Sequence, residues 1–324
     1  AKTAELLEEA GRVAETVPSL AAAAELLKEK ARALRQRRFT AALFGAFSAG
    51  KSSFANALMG DAALPVSPNP TTAAINAVVP PTAEFPHGTA RVTMKSRKEV
   101  LDGIRYALHA LGVPLTPEEE AADDKLIRKI RSVTAAENET PPGGKPHIAF
   151  LKAVASGWAE AAPAFGCEIR CEGEQFRKFA AEELKSAFVE RIELFYDSPL
   201  SRQGVTVVDT PGADSVNARH TGVAFNYMKN ADAVFFVTYY NHAFSRADRQ
   251  FLEQLGRVKD AFELDKMFFI VNAADLAESA DELREVMEHV RANLARFGVR
   301  NPRLFPVSSL KALEAKRAGN DELA

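Results

Sequence analysis

Apolar positions in the first part of the chain recur at helical spacing: Leu6, Leu7, Ala10, Val13 and Val17, then Leu20, Leu27, Ala31 and Leu34. The spacing predicts helix over residues 2–37, broken or kinked at Pro18, which lacks a backbone donor. The pattern leaves open whether this stretch packs on the domain that follows or forms half of a helical neck. Residues 39–45 (FTAALFG) are a short apolar run ending in glycine, as a parallel strand buried on both faces should be. A glycine-bracketed loop and a helix over 52–58 follow. Runs at 205–208, 233–237, 267–271 and 304–307 share the buried-strand character, and helical patterns over 246–255 and 281–297 separate them. In the last of these, Leu283, Val286, Met287, Val290 and Leu294 form one stripe. Strands alternating with helices predict an α/β fold, a mostly parallel sheet covered by helices on both faces.

Between about 95 and 190 the pattern changes. Helix-like stretches over 97–111, 117–133 and 175–189 are interrupted by Pro141-Pro142-Gly143-Gly144. The expected organisation is an N-terminal helical segment over 1–38 and a sheet domain over 39–324 with a helical insertion at about 95–190. Starting at Ala1 and stopping soon after its last motif, the chain reads as a piece of something longer.

Composition narrows the classes. With 47% hydrophobic residues, 26% charged and a net charge of −2, the 324-residue chain carries no overall basic excess of the kind that binds nucleic acid. No apolar run approaches the roughly 20 residues needed to cross a bilayer. Cys167 and Cys171, the two cysteines, fit a reducing compartment; they would share a face if their segment were a strand, and two thiols do not complete a four-ligand zinc site.

The chemistry begins at Gly45-Ala-Phe-Ser-Ala-Gly50-Lys51-Ser52, which fits GxxxxGK[ST]. Backbone N–H groups of such a loop turn inward to cradle phosphate oxygens, which requires glycine where a side chain would clash. Lys51 is expected on the β and γ phosphates, the Ser52 hydroxyl on Mg²⁺, and the following helix directs its positive end at the same anion. Asp209-Thr-Pro-Gly212 closes the run 205–208: its carboxylate can hold Mg²⁺ through water, and the Gly212 N–H can meet the γ-phosphate. Asn272-Ala-Ala-Asp275 ends the run 267–271. One carboxylate there can accept both N1–H and the 2-amino group of guanine, each charge-assisted bond worth about 1.5–3 kcal/mol. Ala273 stands where [NT]KxD motifs carry lysine, so affinity should weaken while specificity survives through Asp275. Val307-Ser308-Ser309 matches, by position, a loop that touches the guanine O6.

The stretches Gly45-Ala-Phe-Ser-Ala-Gly-Lys-Ser-Ser-Phe-Ala-Asn-Ala-Leu-Met-Gly60, Leu64-Pro65, Asn69-Pro70-Thr71-Thr72-Ala73 and Asp209-Thr-Pro-Gly-Ala-Asp-Ser-Val-Asn-Ala-Arg-His220 resemble the dynamin superfamily, most of all bacterial dynamin-like proteins. The resemblance covers most of the chain outside the insertion, and its most specific part is the loop variant with Ser48-Ala49. It implies a GTPase whose site takes in Gly45, Phe47, Ser48, Ala49, Gly50, Lys51, Ser52 and Ser53 of the phosphate loop. It also implies Asp209, Gly212, Asn272, Asp275, Ser308 and Ser309, with Mg²⁺ held by Ser52, Thr72 and Asp209. Ser48, Lys51 and Thr72 take the catalytic roles. Ala213 follows Gly212 where many small GTPases place a water-orienting glutamine. In dynamins the serine at the position of Ser48 and a bound monovalent cation, K⁺ or Na⁺, supply help instead; Phe47 departs from the glutamine usual in eukaryotic dynamin.

The resemblance further implies GTP-dependent pairing of two GTPase domains coupled to membrane remodelling. Membrane lipid would be met through regions not in this chain, nucleic acid would not be a partner, and the place of work would be cytoplasmic, peripheral at the inner face of the cell membrane. Arg219 and His220 are candidates for a contact across the pair, and Asn241 and His242 for the site's rim. Trp158 reads as a packing residue. The alternative is a monomeric switch GTPase that binds an effector or the ribosome.

Overall fold

The structure is a computed structural model that describes residues 2–36, 38–66, 74–135, 143–173, 175–181, 183–211, 228–257, 266–299 and 301–320. Nine strands form one sheet among the described residues: β1 (Phe39–Phe44), β2 (Ile75–Val79), β3 (Thr89–Met94), β4 (Glu168–Glu172), β5 (Val189–Phe195), β6 (Val205–Asp209), β7 (Ala233–Tyr239), β8 (Met267–Asn272) and β9 (Arg303–Val307), in the spatial order β4-β3-β5-β2-β6-β1-β7-β8-β9. From β6 to β9 every pairing is parallel. Beyond β6 the sheet is mixed: β2 is antiparallel to β6 and parallel to β5, and β3 is antiparallel to both its neighbours. The parallel half holds all four strands read from their apolar runs after β1, but β9, at the sheet edge, has no buried residue and leaves Phe305 exposed, so it is not the buried strand its run suggested.

The helices are α1 (Lys2–Glu15), α2 (Ala21–Arg35), α3 (Lys51–Met59), α4 (Arg97–Ala110), α5 (Pro117–Ala121), α6 (Asp123–Ala135), α7 (Lys145–Ala161), α8 (Gln175–Ala181), α9 (Glu183–Ser186), α10 (Arg246–Arg257), α11 (Ala280–Arg296) and α12 (Ser309–Arg317). One face of the sheet is covered by α3 and the helices of the 95–190 region, through Phe54, Ile104, Leu126, Leu151 and Trp158. The opposite face is covered by α10 and α11, through Leu252, Val290 and Leu294. Side chains at the helix starts set several boundaries. Ser96 and Thr116 form capping boxes with Glu99 and Glu119, and Ser279 and Ser308 cap α11 and α12.

The 95–190 region is not wholly helical. It contributes β4, which pairs with β3 and so belongs to the main sheet. The stretch 175–189, expected as one helix, is two short helices followed by the start of β5. The stretch 117–133 is divided at Ala122, whose extended backbone separates α5 from α6. The strand start within 175–189 has a cause in its side-chain pattern. In β5 the polar residues Glu190, Arg191 and Glu193 interleave with buried Val189, Ile192 and Leu194, an amphipathic strand with paired charges (Arg91–Glu193, 2.7 Å). Such strands lack the continuous apolar run that marks the parallel half. Cys167 precedes β4 and is exposed, whereas Cys171 within β4 is buried.

Pro18 opens the 3-10 turn Pro18–Leu20 between α1 and α2. The two helices run antiparallel, since Glu8 pairs with Arg35 and Glu15 with Lys28. Their contact uses small residues, Ala4, Gly11, Ala24 and Ala31, whereas Leu6, Val13, Val17, Leu20 and Leu26 are exposed.

At the other end of the chain, α12 is fastened to α3. Lys316 Nζ donates to the Ala57 carbonyl (2.8 Å), and Arg317 pairs at 2.5 Å with Asp61, which also accepts the Tyr196 hydroxyl. These two donors hold the Asp61 carboxyl down to about 2 against an ordinary 3.8, and burial together with Asp61 pushes Tyr196 up to about 12. Because the folded pKa of Asp61 is lowered, its stabilisation is present above 3.8 and is lost as pH falls through 3.8 toward about 2. Asp61→Asn should therefore lower Tm by about 1–3 °C at neutral pH. Thermal melts of the two chains should converge as the pH is taken from about 4 down to about 2.

Candidate functional site

Strand β1 delivers the chain into a loop with very little room. At Gly45 the backbone φ is +144°, and a Cβ there would stand 2.0 Å from the Val237 carbonyl oxygen of the neighbouring β7. The 3-10 turn Phe47–Ala49 follows, and Gly50, at φ +82°, starts α3; a Cβ on Gly50 would meet Asn272 Nδ2 at 2.3 Å. Both glycines are thus demanded by backbone conformation and by clearance. The loop's N–H groups and the N-terminus of α3 present a concentrated positive end to any anion placed there.

Lys51 is buried, and its ammonium donates to the carbonyls of Gly45 (3.1 Å) and Ala46 (2.9 Å), which holds it inside the loop. The Ser52 hydroxyl hydrogen-bonds Asp209 Oδ2 at the end of β6. Burial pushes the Asp209 carboxyl up, while nearby Lys51 and the Ser52 hydroxyl pull it the other way. Asp209 is only 1% exposed and its Oδ1 has no donor among the described residues. A hard cation beside Ser52 and Asp209 would meet two oxygen groups of the type Mg²⁺ takes, so the residues present fit that ion. Thr210 next to it is locked by its own hydroxyl, which donates to the Leu43 carbonyl of β1 at 2.7 Å.

Asn272, at the end of β8, joins this phosphate side to the rest of the cleft. Its Nδ2 donates to the Ala49 carbonyl (3.1 Å) in the loop, and its Oδ1 accepts the Ser309 hydroxyl (2.7 Å) and backbone N–H (3.3 Å). Ala273 then takes a left-handed conformation, φ +61°, which costs a residue with a Cβ about 1–2 kcal/mol. That turn starts the 3-10 segment Ala274–Leu276 and brings Asp275 into the cleft.

These groups surround one cleft of about 730 Å³. Of the residues singled out by sequence, Ser48, Gly50, Lys51, Ser52, Ser53, Asp209, Asn272, Asp275, Ser309 and His242 line it. Gly45 and Ala49 are buried in the loop's own structure, and Phe47 lies in its 3-10 turn. Ser308 caps α12, accepting the Lys311 N–H at 3.3 Å, and Asn241 is exposed; neither is on the cleft wall. Trp158 is buried in the helical layer, its Nε1 donating to Asp123 at 3.0 Å. Thr72, Gly212, Ala213, Arg219 and His220 lie outside the described residues. Val66, Tyr239, Leu276 and Leu310 also line the cleft, and no motif marks them. The position of Tyr239, two residues past the apolar run 233–237, is the only signal that points to it.

A phosphate loop and the Asn272–Asp275 turn, joined by one asparagine at the strand ends of a largely parallel sheet, are the arrangement of a P-loop nucleotide-binding domain. The profile of the dynamin family matches residues 41–274. The chain belongs to the dynamin family and carries its GTPase domain. It is 40% identical over 289 residues to Dynamin-like protein A of Bacillus subtilis, covering 89% of this chain and 24% of that protein. It is 28% identical over 163 residues to a bacterial dynamin-like protein of Nostoc punctiforme, covering 44% of this chain and 22% of the relative. A solved structure of an oligomerised bacterial dynamin pair, described as sensing and tethering membranes at long range, shares the fold. Its TM-score is 0.63 at 20% identity, over 97% of this chain and 39% of that one. The chain thus spans well under half the length of these relatives.

Replacing Gly50 by alanine should weaken nucleotide binding by at least about tenfold, since an added strain of 1.4 kcal/mol already gives that factor. Equilibrium titration with a fluorescent guanine nucleotide would measure it; unchanged affinity would mean that the loop is not held against Asn272.

Proposed function

We propose that this chain binds GTP in the cleft, hydrolyses it, and uses the cycle to drive pairing of two GTPase domains in a membrane-remodelling machine. The observation that carries the reading is Asn272, which ties the phosphate loop to the Ser309 helix and sets Asp275 in the same cleft. Lys51 would meet the β and γ phosphates, and Asp275 would select guanine by accepting its paired donors. Ser52, Asp209 and, from its place in the sequence, Thr72 would hold Mg²⁺. When bound, that ion neutralises charge on the phosphate oxygens. Ser48 is exposed on the cleft side of the loop, where a side chain can act on the phosphates. Help from K⁺ or Na⁺ at the same loop is part of the proposal, with Phe47 the feature that sets it apart from eukaryotic dynamin.

The domain division proposed is a neck-like helical segment over 1–38 and a GTPase domain over 39–324, with an insertion at about 95–190. The α1–α2 hairpin supports the first part. It contacts itself through small residues and leaves Leu6 58%, Val13 65% and Leu26 53% exposed, a face suited to further helices of a family-length chain. Membrane work of the kind described for the solved bacterial pair is carried to this chain on family grounds, with lipid contact through regions outside it. No helix among the described residues is long and apolar enough to cross a membrane. The place of work proposed is the cytoplasm, at the inner face of the cell membrane.

Turnover of GTP and of ATP per molecule, measured over a wide range of protein concentration in potassium and in sodium buffers, tests this. A GTP-specific rate that climbs with concentration is expected. A flat rate would instead fit a switch acting as a monomer. Lys51→Ala should bring turnover to background. Asp275→Ala should erase the preference for GTP over ATP, because about 1.5–3 kcal/mol per lost charge-assisted bond is most of the discrimination.

A further inference from the structure

Strand β2 begins just after the segment that contains Thr72 and runs antiparallel to β6, so that Asn76 stands directly opposite Asp209. Opposed residues of an antiparallel ladder project to the same face, with Cβ atoms about 4.5–5.5 Å apart. The neighbouring pairs identify that face. Val78 and Val207 belong to the core layer that contains Phe54 and Ala55 of α3, whereas Ala77 and Val208 belong to the opposite layer. Asn76 and Asp209 therefore sit side by side on the α3 face, where Asp209 Oδ2 accepts the hydroxyl of Ser52.

Both side chains are buried, Asn76 at 5% and Asp209 at 1% exposure, and the Oδ1 of each has no donor among the described residues. An unpaired buried acceptor is costly, because it has given up water without gaining a donor. A strand position that needed only packing would carry an apolar residue, as Ile75, Ala77 and Val78 do on either side. The two orphan atoms are of one kind, acceptors, and they call for a donor. Water bound to a divalent cation meets that need: its lone pair is committed to the metal, so it presents only protons outward, and the cation's charge strengthens them as donors.

We infer that Asn76 is a positioning residue for the divalent cation at Ser52. Its Oδ1, together with Asp209 Oδ1, accepts hydrogen bonds from the water that the cation carries and so orients the hydration shell. The inference rests on the reading of the cleft as a site for Mg²⁺ and guanine nucleotide. Outer partners of this sort typically contribute about 10–100-fold to metal affinity.

The test is a Mg²⁺ titration of the chain with GDP, read by the rise in Tm and by a fluorescent GDP analogue, for the unaltered chain, Asn76→Ala and Asn76→Asp. Asn76→Ala should raise the Mg²⁺ concentration for half-maximal effect by about tenfold or more. Its Tm in EDTA should not fall, because an unpaired acceptor is removed. Asn76→Asp, which keeps an acceptor oxygen, should restore most of the Mg²⁺ response. An unchanged Mg²⁺ midpoint in Asn76→Ala would overturn the inference alone, as would a Tm loss of equal size in EDTA and in Mg²⁺, which would make Asn76 a packing residue. If the unaltered chain shows no Mg²⁺-dependent response to GDP, the reading of the cleft falls, and the inference with it.

Discussion

The tightest constraint in the molecule is steric, and it lies where the phosphate loop crosses the ends of β7 and β8. The loop backbone passes so close to the Val237 carbonyl and the Asn272 amide that only a hydrogen fits at Gly45 and Gly50. A loop this closely backed by two strands cannot relax toward other shapes without moving the sheet. The sheet itself is fixed by buried apolar side chains on both faces, among them Leu43 and Val237 on one and Val234 and Phe236 on the other. Preorganisation of the anion site is therefore a consequence of strand packing. A chain of loose glycines could supply the same N–H groups only by ordering itself when the anion binds, at about 1–2 kcal/mol for each residue fixed.

Asn272 extends that rigidity across the cleft to Ser309. Its single amide donates into the loop and accepts from Ser309, so a shift of α12 would be felt at Ala49, and a shift of the loop at α12. The far end of α12 is held independently, by Lys316 on the last turn of α3 and by Arg317 on Asp61. Helices α3 and α12 thus meet at both ends, through Asn272 near the nucleotide cleft and through Asp61 away from it. Beneath the loop, buried Asp248 makes a comparable brace. It accepts the Thr238 hydroxyl (3.0 Å) and the Ser245 N–H (2.8 Å), and Thr238 in turn accepts the N–H of Phe244, a residue in the left-handed region.

How much of this could be read from the chain depended on which physical signal each element carries. Strands β1, β6, β7, β8 and β9 are continuous apolar runs, and the glycine loop, the DTPG turn and the Asn272–Asp275 turn stand at their ends, so that half was legible. The mixed half was not. In β3, β4 and β5 apolar residues alternate with Arg, Glu and Thr, which resembles the solvated face of a helix as closely as it resembles a strand. The apolar β2 lay hidden for another reason: its short run follows the Thr72 segment with no helix to separate it from its neighbours. Asn76 passed unnoticed inside that run, because a buried acceptor becomes conspicuous only when the residue across the ladder is known to be Asp209. Asn272, by contrast, was legible as a motif, while its double role as a brace was not.

The proposed base side of the cleft is built on a different principle from the proposed phosphate side. Where a lysine stem would lie along the base, Ala273 offers one methyl group, and each buried methylene forgone is worth about 0.8 kcal/mol. The apolar surface available there is instead that of Leu276 and Leu310, which line the cleft while remaining 43% and 63% exposed. Contacts to half-solvated side chains contribute less than contacts to buried ones, because part of their surface stays in water either way. In the proposed function, selection for guanine then rests almost wholly on the carboxylate of Asp275, and tightness on the phosphate loop. That division would separate specificity from affinity, letting the cleft distinguish bases strongly without gripping any nucleoside strongly.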